Sequence, residues 1–257
     1  MNNDPNENRI ILIDKPAGIS SFGVVAKVRY YLKNTYGHKI KVGHTGTLDP
    51  FATGLLILLT GKMTKNSNDF LKLDKVYEAT LKLGYTSTTG DPEGDIQPYI
   101  TANPDLTNQE SNHKTSQPQP STNPQLPTKL QSQTGIKPPT KSLVESILNS
   151  FIGTISQTPP KFSAIKINGQ RAYKLARKNQ DFALPARQVT IYNIELLDYH
   201  YPDLKIRAKV SSGTYIRSLA EDIGKKLETG AYLTSLRRLK IDHYSVSDAE
   251  PLSNYII

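Results

Sequence analysis

Val42-Gly43-His44-Thr45-Gly46-Thr47-Leu48-Asp49-Pro50-Phe51-Ala52-Thr53-Gly54 is the stretch on which the reading of this chain turns. Glycines at 43, 46 and 54 punctuate it and permit backbone conformations that other residues avoid. Leu55-Leu56-Ile57-Leu58-Leu59 follows, and Thr60-Gly61 closes it. A short apolar run bounded by turn residues predicts a buried strand. Taken alone, Asp49 before Pro50 is a turn or helix-capping residue.

The whole string says more. Gly-His-Thr-Gly-Thr-Leu-Asp-Pro-x-Ala-x-Gly-x-Leu, residues 43–56, resembles the catalytic motif of the TruB family of tRNA pseudouridine synthases. The resemblance implies that Asp49 is the catalytic nucleophile and that His44 positions RNA. It also implies an α+β pseudouridine synthase fold, with a mixed, mainly antiparallel sheet, flanking helices and an RNA-binding cleft.

Composition agrees with such a partner. The 257 residues include 32 Lys and Arg against 23 Asp and Glu, a formal net charge of +9, which favours a polyanion, nucleic acid first. Cysteine is absent, which excludes disulfides, a thiolate zinc site and a Cys nucleophile. The first residues, Met1-Asn2-Asn3-Asp4-Pro5-Asn6-Glu7, lack the apolar core of a signal peptide. No stretch is long and apolar enough to span a bilayer. The expectation is a cytoplasmic protein, a monomer, with no membrane, metal or cofactor partner.

Outward from the central loop, Ile10–Ile13 reads as a strand. Asp14-Lys15-Pro16-x-Gly-x-Ser-Ser then leads into Val24, Val25, Val28 and Leu32 at helical spacing, with Ser20 and Ser21 as candidate caps. This stretch resembles the family's first motif and makes Lys15 a candidate phosphate or active-site contact. Met63–Leu73 reads as a helix. Lys75–Leu83 alternates as a strand, with Tyr77, Ala79, Leu81 and Leu83 on one face. By resemblance, Tyr77 in Lys75-Val76-Tyr77 stacks on the target base. Thr89-Gly90-Asp91-Pro92-Glu93-Gly94-Asp95 reads as a turn cluster, and none of its acids stands out as a second catalytic carboxylate.

From about 97 to 140 the composition shifts to Asn, Gln, Ser, Thr and Pro, too polar to offset the entropy of ordering. Residues 1–8 are expected to be a disordered tail. Residues 9–257 are expected to be one catalytic domain interrupted by a disordered surface insertion at 97–140. With the sequence running to Ile257, the C-terminal PUA domain of many bacterial relatives is expected to be absent. Ser142–Phe151 restores helical periodicity through Leu143, Ile147, Leu148 and Phe151.

Thr158–Gly169 reads as a strand running into an Asn-Gly turn. With Arg171, Tyr173 and Arg177 it forms a further long match to the family, whose basic residues, Lys166 included, suit phosphate contact. Strands follow around Val189–Leu197 and Leu204–Val210. In the second, Ile206, Ala208 and Val210 alternate with Lys205, Arg207 and Lys209, a core face and a basic face that is a candidate for phosphate contact.

Ser211-Ser212-Gly213-Thr214-Tyr215-Ile216-Arg217 opens a helix with Ile216, Leu219, Ile223 and Leu227 as its apolar stripe. Arg217 falls in the first turn, where a cation opposes the helix dipole, so a partner anion is expected and Asp49 is the natural candidate. By resemblance, Tyr215 contacts the base and Leu236, in Leu233–Leu239, packs against it.

The implied reaction isomerises the T-loop uridine, position 55 in the usual tRNA count, to pseudouridine with base flipping. The alternatives are a non-catalytic tRNA-binding or folding factor on the same fold, and a two-carboxylate sugar hydrolase, which needs a second positioned acid.

Overall fold

A computed structural model describes residues 8–100, 136–167, 169–178 and 180–256. Residues 1–7 of the expected tail and most of the expected insertion lie outside the described residues. In chain order the elements begin with β1 (Ile10–Lys15), α1 (Ser21–Tyr36), β2 (Val42–His44), β3 (Thr53–Thr60), α2 (Ser67–Leu71) and β4 (Lys75–Leu83). A hairpin of β5 (Tyr85–Ser87) and β6 (Ile96–Pro98), α3 (Lys141–Asn149) and β7 (Gly153–Gln157) follow. Then come β8 (Lys166–Ile167), β9 (Gln170–Arg171), α4 (Ala172–Ala176), β10 (Arg187–His200) and β11 (Asp203–Val210). The described chain closes with α5 (Ile216–Lys226), β12 (Ala231–Ile241), β13 (Tyr244–Ser245) and β14 (Glu250–Pro251).

One sheet organises the molecule in the order β14-β1-β3-β12-β4-β11-β10-β7, with β2 added to β3 and β13 to β12. Its pairs are antiparallel except β1 with β14 and β3 with β12. The expected α+β, mainly antiparallel sheet is what forms.

Both faces of β3 are covered, which is why its sequence is continuously apolar rather than alternating. Leu56 and Leu58 pack with Val24, Val25, Val28 and Leu32 of α1, while Leu55, Ile57 and Leu59 face Met63, Phe70 and Ile241. The largest core lies on one face of β4, β11 and β12, under α3 and α5. There Tyr77, Ala79 and Leu81 meet Ile206, Ala208, Leu219 and Ile223. Of the three motif glycines only Gly54 is left-handed, at φ 101°, and a Cβ there would lie 2.3 Å from the Arg238 carbonyl oxygen. That close approach is how the Asp49 loop reaches β12.

Several local expectations shift. Met63–Leu73 is not one helix but a 3-10 segment, Gly61–Asn66, followed by the short α2. Leu143 points to solvent and Val144 is buried in its place, beside Leu148 and Phe151 as expected, with Thr140 capping the Leu143 N–H. The strand read over Thr158–Gly169 is confined to β8, which meets β9 through the turn at Gly169. Ile96–Pro98 pairs with Tyr85–Ser87, so order extends past the expected start of the insertion at 97.

Candidate active site

The Asp49 loop is anchored from four directions. Ser21 at the start of α1 accepts from the Leu48 N–H at 2.8 Å and donates to the Leu48 carbonyl at 2.9 Å. The Lys15 ammonium donates to the carbonyls of Pro16, Ile19 and Pro50 at 2.9, 2.8 and 3.1 Å. The Gly18 N–H also reaches the Pro50 carbonyl, at 2.9 Å. Arg238 of β12, 1 % exposed, donates to the carbonyls of Leu55, Gly46 and Thr47 at 2.7, 3.3 and 3.5 Å. A buried cation with three carbonyl acceptors fixes the backbone of the whole motif.

Arg217 then joins this loop to the rest of the cleft. It is 4 % exposed. Its Nε lies 3.1 Å from Asp49 Oδ2 and its Nη2 3.4 Å from Asp49 Oδ1. Nη1 lies 3.3 Å from Asp91 Oδ2 and donates to the Thr89 carbonyl at 2.9 Å, and Nη2 donates to the Phe162 carbonyl at 2.8 Å. The anion expected for Arg217 is therefore Asp49, with a second. Asp91 is not a solvated turn acid. It is 3 % exposed, accepts from Thr89 Oγ1 at 2.5 Å and from the Glu93 N–H at 3.0 Å, and turns its other oxygen to Arg217. One guanidinium ties the motif loop, the 89–95 turn and the Phe162 segment to the N-terminus of α5. Burial pushes the pKa of Asp49 above the ordinary carboxylate value. The Arg217 charge opposes this, Asp91 adds to it, and Lys15 and the Arg217 hydrogen bond oppose it further.

Asp49 opens on a cleft of about 1080 Å³. Tyr77, Leu236 and Val210 supply an apolar wall, and His44, Tyr173, Tyr215, Arg171, Arg177 and Arg187 line it further. His44 accepts from the Gly46 N–H through Nδ1 at 3.4 Å, and burial, then Arg238 and Arg171, lower its pKa. A neutral ring accepting at Nδ1 leaves Nε2 as its donor.

Tyr215 is held by two devices. Gln157, with 0 % exposure at the end of β7, accepts from the Tyr215 N–H at 2.8 Å and donates to its carbonyl at 3.1 Å. The Arg187 guanidinium lies 4.9 Å from the centre of the Tyr215 ring and bonds the Gly213 carbonyl. Glu93 also faces the cleft, its pKa raised by burial and by the negative charges of Asp91 and Asp49.

The structure thus brings together Asp49, His44, Tyr77, Tyr215, Leu236 and Arg217. Two other candidates stand apart. Lys15 is fully buried with all three ammonium donors on carbonyls, so it braces the loop and offers no proton to a phosphate. Burial lowers its pKa to about 8. Lys166 is exposed on β8 and is not among the cleft-lining residues.

The basic face of β11 is corrected as well. Arg207 bonds Glu78 at 2.7 Å and approaches Glu195 at 3.4 Å, and Lys205 lies 3.6 Å from Glu78. The alternation puts these side chains on the sheet face opposite Tyr77 and Val210. Reading the sequence missed Asp91, Gln157, Arg187 and Arg238. For Asp91 the available signal was its place between Gly90 and Pro92, within a segment already matched to the family. Among the described residues, no group of three or more His, Asp or Glu is arranged to hold a metal ion. No described helix is long and apolar enough to cross a membrane.

Comparison with known proteins bears on this arrangement. A family model described as TruB family pseudouridylate synthase (N terminal domain) matches residues 33–132 and 121–216. The tRNA pseudouridine synthase B of Phocaeicola vulgatus is 41 % identical over 250 residues, covering 97 % of this chain and 92 % of that protein. The protein of the same name from Aquifex aeolicus is 40 % identical over 248 residues, 96 % of this chain and 72 % of that one. Among solved structures, a chain of a Cbf5–Nop10–Gar1 complex superposes with a TM-score of 0.60 at 25 % identity. The match covers 96 % of this chain and 53 % of that one, so this chain spans about half the length of the solved chain it resembles.

Proposed function

The chain belongs to the TruB family of pseudouridylate synthases, and from that membership we propose that it isomerises a tRNA uridine, the T-loop uridine at position 55, to pseudouridine. We read residues 9–257 as one catalytic domain acting as a cytoplasmic monomer, with the tRNA T-arm as its partner. The single observation that carries the reading is Asp49 lining a cleft of about 1080 Å³, held by the Arg217 guanidinium that also meets Asp91.

The reaction is balanced within the nucleoside. The N1–C1′ bond breaks, the base turns, C5–C1′ forms, C5 loses a proton and N1 gains one. Nothing is oxidised or reduced. Asp49 is the carboxylate that acts on the ribose as the uracil departs, by attack at C1′ or removal of the 2′ proton, and it must be ionised to do so. Arg217 favours that ionised form against the burial that opposes it.

The uridine must leave its loop to reach Asp49. Flipping costs a few kcal/mol, and stacking on an aromatic side chain, worth about 1–3 kcal/mol, offsets much of it. Tyr77 and Leu236 form the walls for the base, Tyr215 borders it, and His44 positions the RNA at the mouth. Arg171 and Arg177 on the rim suit phosphates. A sugar hydrolase would use two carboxylates free to flank one bond, whereas Asp91 is committed to Arg217, Thr89 and the Glu93 amide.

The test is direct. The protein is incubated with unmodified tRNA transcript, and pseudouridine is mapped by carbodiimide-dependent primer extension. A stop at the T-loop uridine is the expected result, and an unmodified transcript after prolonged incubation overturns the reading.

A further inference from the structure

Helix α1 begins at the cleft and leads away from it. Ser20, Ser21 and Phe22 line the cleft, and the helix runs on to Tyr36, about 24 Å at 1.5 Å per residue. One side of it, Ser21, Val24, Val25, Val28 and Leu32, is buried. The opposite side would ordinarily be polar. Here it carries Phe22, Ala26, Tyr30 and Lys33, spaced four, four and three residues apart and so on one face. All four are exposed, Phe22 at 65 % and Tyr30 at 60 %. Lys27 is exposed beside them.

The charge of this region is of one sign. From Pro16 to Leu48 the chain carries Lys27, Arg29, Lys33, Lys39 and Lys41 and not one Asp or Glu. Elsewhere on the surface cations meet acids, as Lys82 meets Asp203 and Arg207 meets Glu78. Two exposed aromatic rings and unopposed cations on a face continuous with the cleft match the chemistry of an unpaired nucleic acid strand, whose bases stack on aromatic rings while its phosphates take Lys.

We propose that the Phe22–Ala26–Tyr30–Lys33 face of α1 is a second contact surface for the substrate RNA, holding unpaired nucleotides that lie outside the cleft. The inference rests on the reading of the cleft as a tRNA site and adds to it where the rest of the tRNA goes. Phe22 at the lip meets nucleotides next to the flipped one. Tyr30 and Lys33, about 12 and 16 Å further along the axis, meet nucleotides that a short T-arm hairpin does not possess.

That difference in reach supplies the test. A Tyr30→Ser, Lys33→Ser double variant changes exposed residues outside the cleft, so it leaves the fold and the site intact. Binding is read by fluorescence anisotropy and turnover by pseudouridine formation, each on a full-length unmodified tRNA transcript and on a T-arm stem-loop. The expected result is a rise of about tenfold in Kd and KM for tRNA, unchanged kcat, and no change on the stem-loop. The slope of log affinity against log salt should flatten by about 0.7–0.9 for tRNA only.

Equal affinity of variant and wild type for tRNA overturns the proposal, as does an equal loss on both RNAs. So does sedimentation showing a wild-type dimer that the variant breaks while tRNA affinity holds, since the face would then seat a second copy. The two readings also fail separately. A wild-type protein that binds tRNA through this face but forms no pseudouridine refutes the activity and leaves the surface standing.

Discussion

Arg217 reaches Asp49 from 168 residues away, with Nε 3.1 Å from Oδ2 and Nη2 3.4 Å from Oδ1. The contact places a cation in the first turn of α5, against the helix dipole, and two carboxylates answer it. The balance of burial against that cation sets how readily the Asp49 carboxyl ionises and makes the pH dependence readable.

Burial wins over Arg217, so Asp49 has a folded pKa above its ordinary 3.8. The acid limb of kcat/KM should therefore fall at higher pH than an exposed Asp would give. Arg217→Met should move it further up and lower turnover by about 100-fold or more, an order of magnitude set by the loss of a charge-assisted pair. A pH–rate profile of the two proteins checks this. An unmoved acid limb would separate Asp49 from Arg217.

The same shift has a consequence for stability. Because the folded pKa lies above the unfolded one, the folded state binds the extra proton between the two values, and stability falls as pH rises through that window. Above the folded pKa the cost of the ionised carboxylate is fully in force. Asp49→Asn should thus melt at or above the wild-type temperature on the alkaline side of that window, with the advantage fading as pH falls toward 3.8 and Asp49 is itself protonated. Calorimetry across that range measures it.

Gln157 should matter as a brace for Tyr215. Gln157→Leu leaves the Tyr215 N–H without its buried partner, at about 1–3 kcal/mol, while the carbonyl keeps the Leu219 N–H and loses only its Gln157 bond. The expected outcome is a kcat lowered by about tenfold or more with KM within a few-fold of wild type, since rim contacts to RNA persist. Steady-state kinetics decides it, and a change confined to KM would contradict the role.

Lys15 and Arg207 provide the contrast with the proposed RNA contacts. Lys15→Met should lower stability by about 2–4 kcal/mol by stripping the Pro16 and Ile19 carbonyls of this partner while Pro50 keeps the Gly18 N–H, seen as a lower urea midpoint, without altering the salt slope of RNA binding. Arg207→Ala should likewise leave the slope unchanged, because Glu78 and Glu195 already neutralise it. Arg177→Ala, on the exposed cleft rim, should flatten the slope by about 0.7–0.9. Binding measured across a salt series separates the three.

Much of this was legible in the chain. Leu55–Leu59 is apolar at every position because both faces of β3 are packed, and β4 and β11 alternate because each covers a core on one side. The Arg217–Asp49 pair could be anticipated because a cation in a helix's first turn asks for an anion.

What stayed hidden was set by tertiary contact. Asp91 stands in Thr-Gly-Asp-Pro-Glu-Gly-Asp, a composition that a solvated turn would share, and only the approach of α5 buries it. Gln157 ends a strand, and no periodicity marks which Gln will clamp a distant backbone. Arg237 and Arg238 are adjacent and alike, yet strand alternation sends Arg238 under the Asp49 loop, while Arg237 bonds Asp14 at 2.7 Å. Lys15 looked like a surface cation because nothing local shows that three carbonyls from two loops converge on it.

The central claim, that Asp49 carries the chemistry of a tRNA uridine isomerase, meets its most direct test in single-turnover pseudouridine formation. Wild type and Asp49→Asn are compared on the same unmodified tRNA, with enzyme in excess of RNA and saturating. The account predicts complete conversion at the T-loop uridine by wild type and none by the Asn variant, with tRNA bound as tightly by both. Substantial pseudouridine from the variant, or a wild-type protein that binds the tRNA and leaves its uridine unchanged, would contradict it.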